Sequence, residues 1–158
     1  MFRLTPVVQN LIMINAIVFF GQIFVPHKNF SACLAFLRDL DIITGFLSLW
    51  NVKTACFKPY QLFTYMFVHG GFTHLFFNML TLAFMGPVLE TFWGPKRFLM
   101  FYVVTGIGAA VFSIIIQLVF FPAGGAAFSL GASGAIYGIL MGFGMLFPNL
   151  VVNLLIPP

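Results

Sequence analysis

The sequence predicts an all-α, polytopic membrane protein, and three observations carry that prediction. Hydrophobic residues make up 61% of the 158-residue chain and charged residues only 6%, against about 45–50% and about 25% in an ordinary soluble domain. Mean hydropathy is +1.08, with 23 Phe contributing. Long apolar runs alternate with short polar turns along the chain. So few charges cannot cover the surface of a soluble globule, whereas a lipid-spanning helix needs a run of about 20 apolar residues.

The first run, Val7–Val25, allows about 28 Å of helix, close to the ~30 Å hydrocarbon core. Arg3 ahead of it suggests a signal peptide. Asn10, Asn15 and Gln22 interrupt the run, however, and no A-x-A cleavage pattern follows. It therefore reads as a retained helix over 7–25. Segment 27–59 interleaves Lys28, Arg38, Asp39, Asp41, Lys53 and Lys58 with Leu34, Phe36, Ile42, Phe46 and Trp50. That mixture predicts an interfacial loop of short amphipathic pieces. Cys33 and Cys56 both fall within it. They would pair if the loop faces an oxidising compartment, while their unremarkable spacing favours two separate thiols. Asn29-Phe30-Ser31 fits a glycosylation sequon and is read as a chance match.

Tyr60–Leu89 is apolar for longer than one crossing needs, and Gly70-Gly71 divides it. Paired glycines weaken a helix interior, so the second helix is expected over 72–89 with a shorter segment leading into it. Glu90, Trp93, Gly94, Pro95, Lys96 and Arg97 form a polar turn before a third helix over 98–121. A Gly- and Ala-rich loop precedes the fourth helix, 132–147, which is only about 24 Å long. A helix that short should have one end inside the membrane, where irregular backbone is tolerated only beside protein or a water-filled cavity. On these boundaries all 7 basic and 3 acidic side chains lie outside the spanning helices.

The charge pattern excludes several functions. The net charge of +4 and pI near 9.4 come from scattered Lys and Arg. These form no stripe for nucleic acid and read as headgroup anchors. Arg3, Lys96 and Arg97 on one side balance Lys28, Arg38, Lys53 and Lys58 on the other, so charge bias does not set the orientation. Without intramembrane carboxylates there is no aspartyl pair and no buried charge for ion-coupled transport. No His-Glu-x-x-His occurs, and His69 and His74 lack an obvious third ligand, so neither metal nor cofactor is expected. Gly134, Gly138 and Gly142, with Gly106 and Ala110, read as close helix packing. Thr105-Gly106-Ile107-Gly108 imitates a dinucleotide fingerprint, but no strand precedes it.

Two polar groups remain. His74 and Asn78 are four apart and share a helix face, which suits either interhelical hydrogen bonding or chemistry. His69, about 140° from His74 on an ideal helix, should precede the helix start. Ser133 opens the short fourth helix between Gly131 and Gly134, and Tyr137 lies over the same face. An isolated Ser there is ordinarily an N-cap. Yet the unpaired N–H groups and positive dipole end of a helix start also favour a developing anion. Chemistry alone would nominate His74 as the base for Ser133.

Taken together, these residues resemble the rhomboid family of intramembrane serine proteases over about Phe57–Pro148. The motifs are Gly131-Ala132-Ser133-Gly134, Tyr137 four after the serine, His69…His74…Asn78, and Glu90-x-x-Trp93-Gly94-x-x-Arg97. The resemblance implies a rhomboid-like helical bundle with four of the usual six transmembrane helices. It makes Ser133 the nucleophile, and His74 and Asn78 side-chain donors of the oxyanion hole alongside the Ser133 N–H. Gly131 and Gly134 are then the motif that exposes the serine, and Tyr137 the ring supporting the dyad histidine. It further implies transmembrane protein substrates within a lipid bilayer, in a bacterial plasma membrane. Two departures stand out. The family's Trp-Arg pair is matched by Tyr60-Gln61, which loosens inference about loop docking. No histidine follows Ser133, since the three are at 27, 69 and 74. The expectation is a fragment whose dyad histidine lies outside this chain, inactive alone. The alternative is a non-catalytic rhomboid-like protein that binds transmembrane helices.

Overall fold

Helix α1 (Pro6–Phe24) opens on a proline, whose missing N–H is no loss in a first turn. The computed structural model describes residues 3–28, 40–120 and 128–149; Cys33, Arg38, Asp39 and the Asn29 sequon lie outside them. Two residues of β1 (His27–Lys28) pair antiparallel with β2 (Leu40–Asp41). Then follow α2 (Ile42–Leu47), β3 (Leu49–Trp50), α3 (Gln61–Thr64) and a 3₁₀ turn (Tyr65–Phe67). Helices α4 (Phe72–Trp93) and α5 (Pro95–Phe120) come next. After them β4 (Phe128–Ser129) leads into α6 (Ser133–Leu146).

By length and composition α1, α4 and α5 can each cross a membrane, and α6, with 14 residues, is shorter. Among the described residues these are the three long apolar helices, and α6 is the short fourth helix that the sequence leads one to expect. At 1.5 Å per residue α6 covers about 21 Å, short of the ~30 Å hydrocarbon core. Large apolar side chains such as Phe24, Phe76, Phe112 and Met141 point outward, as a lipid-facing surface requires.

Two helix ends differ from the sequence reading for one physical reason each. Helix α4 continues past 89 to Trp93, which brings Glu90 inside a spanning helix, although the charges were expected outside. Glu90 is 3% exposed. Its carboxylate accepts the Val7 N–H at 3.1 Å, the Val8 N–H at 3.0 Å and the Thr5 hydroxyl. Thr5, the N-cap of α1, makes no side-chain cap bond of its own. The acid of α4 therefore caps the orphan N–H groups of α1. Helix α5 starts at Pro95 rather than 98, so Lys96 and Arg97 join its first turn. Gly94, at φ +81, breaks the chain between the two helices. The outer helices shift by a single residue at each end: α1 is 6–24 for an expected 7–25, and α6 is 133–146 for 132–147.

Helix α6 packs chiefly on α5 and then on α4. The small residues permit this. A methyl placed on Gly138 would stand 2.6 Å from the Thr105 Cβ, and one on Gly134 2.5 Å from the Ala109 Cβ. Leu82, Ala135 and Ile139 fill the space between the helices and are fully buried.

Within residues 40–59 the stretch 48–51 is packed into the protein. Leu49, Trp50, Ser48 and Asn51 are fully buried. Gln61 holds the segment with four hydrogen bonds. Its Oε1 accepts the Trp50 N–H at 3.3 Å and the Lys58 N–H at 3.1 Å. Its Nε2 donates to the Phe46 carbonyl at 3.2 Å and the Cys56 carbonyl at 3.0 Å. Gln61, part of one of the two departures from the family pattern, thus docks the loop together with Thr64, whose hydroxyl donates to the Leu47 carbonyl at 2.8 Å. Cys56 is disulfide-bonded, against the reading of separate thiols; spacing says nothing of how the chain between two cysteines folds.

Candidate active site

The segment carrying Ser133 is braced before the helix begins. Strand β3 pairs with β4 through Leu49–Ser129 and Trp50–Phe128, and the Trp50 and Phe128 rings lie 5.0 Å apart. The Ser113 and Ser129 hydroxyls are 2.9 Å apart. The Gly131 N–H then donates to the Tyr65 carbonyl at 2.9 Å, while the Tyr65 hydroxyl donates to the Gly106 carbonyl at 2.7 Å. Tyr65 therefore ties the serine turn to α5.

Gly131 adopts φ +112, a region that side-chain-bearing residues avoid. A methyl there would lie 2.6 Å from His74 Cε1 and 2.7 Å from His74 Nε2. Only glycine lets the imidazole close on the turn. Ser133 is the first residue of α6, and the N-cap is Ala132, with no side-chain cap bond. The ordinary N-cap role therefore does not apply to Ser133, and among the described residues its hydroxyl is not engaged as a cap.

Ser133 shares a cavity of about 180 Å³ with Asn78, Tyr137, Phe77, Thr81 and Leu140. Asn78 is 7% exposed, and its Nδ2 has no hydrogen-bond partner. Leaving a buried donor unpaired costs about 1–3 kcal/mol, and among the described residues the Asn78 amide meets no acceptor. Tyr137 is 72% exposed, its ring uncovered beside the serine. A larger depression of about 830 Å³ lies at the far end of α4 against Arg3, Pro87, Thr91 and Phe147. It holds neither serine nor histidine.

His74 is half-buried. Its Nδ1 accepts the Gly70 N–H at 3.4 Å. In a neutral imidazole an accepting Nδ1 leaves the proton on Nε2, the atom facing Gly131. In that tautomer the ring presents an N–H to the serine turn. His69 does precede α4, yet its ring stands 5.1 Å from that of His74, edge to face. The chain at Gly70-Gly71 is not helical, so the helical angle does not separate the two rings. His69 is 2% exposed, its ring interacting with the Phe67 backbone. Burial, and secondarily the His74 imidazole, push His69 down to about 4; it is neutral at physiological pH. Gln22, Tyr65, Gln61 and Trp50 were not read as site residues. Gln22 and Gln61 carried the one available signal, a polar amide within or beside an apolar run.

A serine opening a short helix, an amide without a partner among the described residues in the same cavity and an imidazole against the serine turn, all within apolar helices, define a polytopic membrane protein with a polar cavity. Residues 57–157 match the family model described as Rhomboid domain, and the chain belongs to the rhomboid family. It is 31% identical over 137 residues to YdcA of Bacillus subtilis (strain 168), whose name places it among the rhomboid proteases; 87% of this chain and 60% of YdcA are covered. It is 40% identical over 102 residues to the rhomboid protease GluP of the same organism, covering 65% of this chain and 18% of GluP. Inactive RHOMBOID-like protein 8 of Arabidopsis thaliana is 30% identical over 66 residues, covering 42% of this chain and 19% of that protein. The chain thus spans less than two thirds of the length of these relatives.

Proposed function

We propose that this chain is the nucleophile-bearing part of an intramembrane serine endopeptidase that cleaves transmembrane segments of other membrane proteins. The carrying observation is that Ser133, Asn78 and Tyr137 line one cavity while the His74 imidazole packs on Gly131. Ser133 Oγ attacks the scissile carbonyl carbon and gives its proton to a histidine supplied from outside this chain, resting on Tyr137. The carbonyl oxygen becomes an oxyanion, held by His74 Nε2–H, Asn78 Nδ2–H and the Ser133 N–H at the helix start. The proton passes to the leaving amine, and water then hydrolyses the acyl-enzyme. The site requires no cofactor, and a bacterial plasma membrane suits the protein.

The test joins the chain to a His-bearing sixth helix and supplies a transmembrane substrate in vesicles. Cleavage that Ser133→Ala abolishes supports the reading. A second reading, helix binding without cleavage, draws on the lack of a histidine after Ser133 and on the similarity to a protein named inactive. Substrate retention without cleavage by the extended chain would favour it.

A further inference from the structure

We propose that Gln22 is a positioning residue for the His74 imidazole, acting through the one peptide unit that joins His69 to Gly70. The inference rests on the reading of His74 as an oxyanion donor. Gln22 sits near the end of α1, buried, with every part of its amide engaged. Its Nε2 donates to the His69 carbonyl at 3.0 Å and to Thr44 Oγ1 at 2.8 Å. Its Oε1 accepts the His69 N–H at 3.1 Å. The His69 backbone is thus gripped at both its N–H and its carbonyl by one side chain.

The His69 carbonyl and the Gly70 N–H belong to a single planar trans peptide, so they point in opposite directions. Fixing the carbonyl from α1 aims the N–H away from α1, at His74 Nδ1. That bond selects the tautomer with the proton on Nε2, facing Gly131 and the serine turn. With the clamp removed the peptide is free to rotate. The other tautomer would then turn a lone pair, rather than a donor, toward the site.

The experiment is nitrogen-15 NMR of the His74 ring in the 158-residue chain in detergent micelles, which reports the tautomer directly. The wild-type ring is expected to carry its proton on Nε2. Gln22→Met, matched in length and lacking the donor, should lower the Nε2–H to Nδ1–H ratio by about fivefold, the effect of one net hydrogen bond. Asn15→Leu, which removes another buried amide from α1, should leave the ratio unchanged. An Nδ1–H ring in the wild type overturns the proposal, as does an unaltered ratio in Gln22→Met or an equal fall in Asn15→Leu. If Gln22→Met does not fold, the wild-type tautomer decides. Proteolysis does not enter this readout: a failed tautomer shift refutes the relay alone, and failed vesicle cleavage refutes the protease reading alone.

Discussion

Replacing Gly131 with alanine strains the backbone and crowds the His74 imidazole together. At φ +112 an L side chain costs about 1–2 kcal/mol. The new methyl would also stand 2.6 and 2.7 Å from His74 Cε1 and Nε2. Neither partner can yield freely, because the Gly131 N–H is bonded to Tyr65 and His74 Nδ1 accepts from Gly70. Overpacking of this kind costs about 1–3 kcal/mol, for a total of about 2–5 kcal/mol. Gly71→Ala is the matched comparison. It too has a positive φ, of 155, but nothing lies within 4 Å of its would-be methyl, so only the backbone cost applies. Unfolding of both variants in micelles, followed by circular dichroism, should find Gly131→Ala less stable than Gly71→Ala by the overpacking increment. In the extended chain, Gly131→Ala should slow the reaction of Ser133 by about 10²–10³-fold, the loss of one oxyanion donor. Equal stabilities for the two variants, with unreduced reaction at Ser133, would refute the placement of His74 against Gly131.

Three further outcomes follow from buried polar groups. Asn78→Leu should leave stability unchanged or raise it by about 1 kcal/mol, since an unpartnered amide is removed, while lowering proteolysis by the extended chain about 10²–10³-fold; unfolding and cleavage assays on the same variant check both. Glu90→Leu should cost about 3 kcal/mol, because three donors at the start of α1 lose a charged acceptor, and denaturant midpoints in micelles measure it. His69 binds its proton near pH 4 when folded and near 6.5 when unfolded. Its contribution to stability is therefore complete above about pH 6.5 and is lost as the pH falls toward 4, by about 3 kcal/mol in all. His69→Gln should lack this part of the acid slope, and unfolding curves at stepped pH compare the two.

The apolar helices were legible because each has to fill a bilayer, and run length reports that directly. Helix ends were less so. Glu90 reads as a helix stop until its carboxylate meets the N–H groups of Val7 and Val8, a contact between residues more than eighty positions apart. Asn78 and the Ser133–Tyr137 pair were visible through four-residue spacing on helices, which survives into the structure unchanged. His69 precedes the helix, as expected, but the ideal-helix angle does not describe its ring, since the chain between it and His74 turns at two glycines and brings the rings together. Gln22 and Gln61 show what periodicity cannot carry. Each looks like an interruption or a lost arginine in sequence, and each is a hub of backbone hydrogen bonds once the elements dock.

The most direct measurement is covalent labelling with a serine-reactive fluorophosphonate, comparing the 158-residue chain with a version extended through a His-bearing sixth helix. Ser133 should be modified in the extended protein and scarcely at all in the shorter one, because the proposed mechanism draws its base from outside this chain. Equal labelling of the two at Ser133, or labelling of the extended protein elsewhere, would contradict a serine site completed by a histidine from outside the chain.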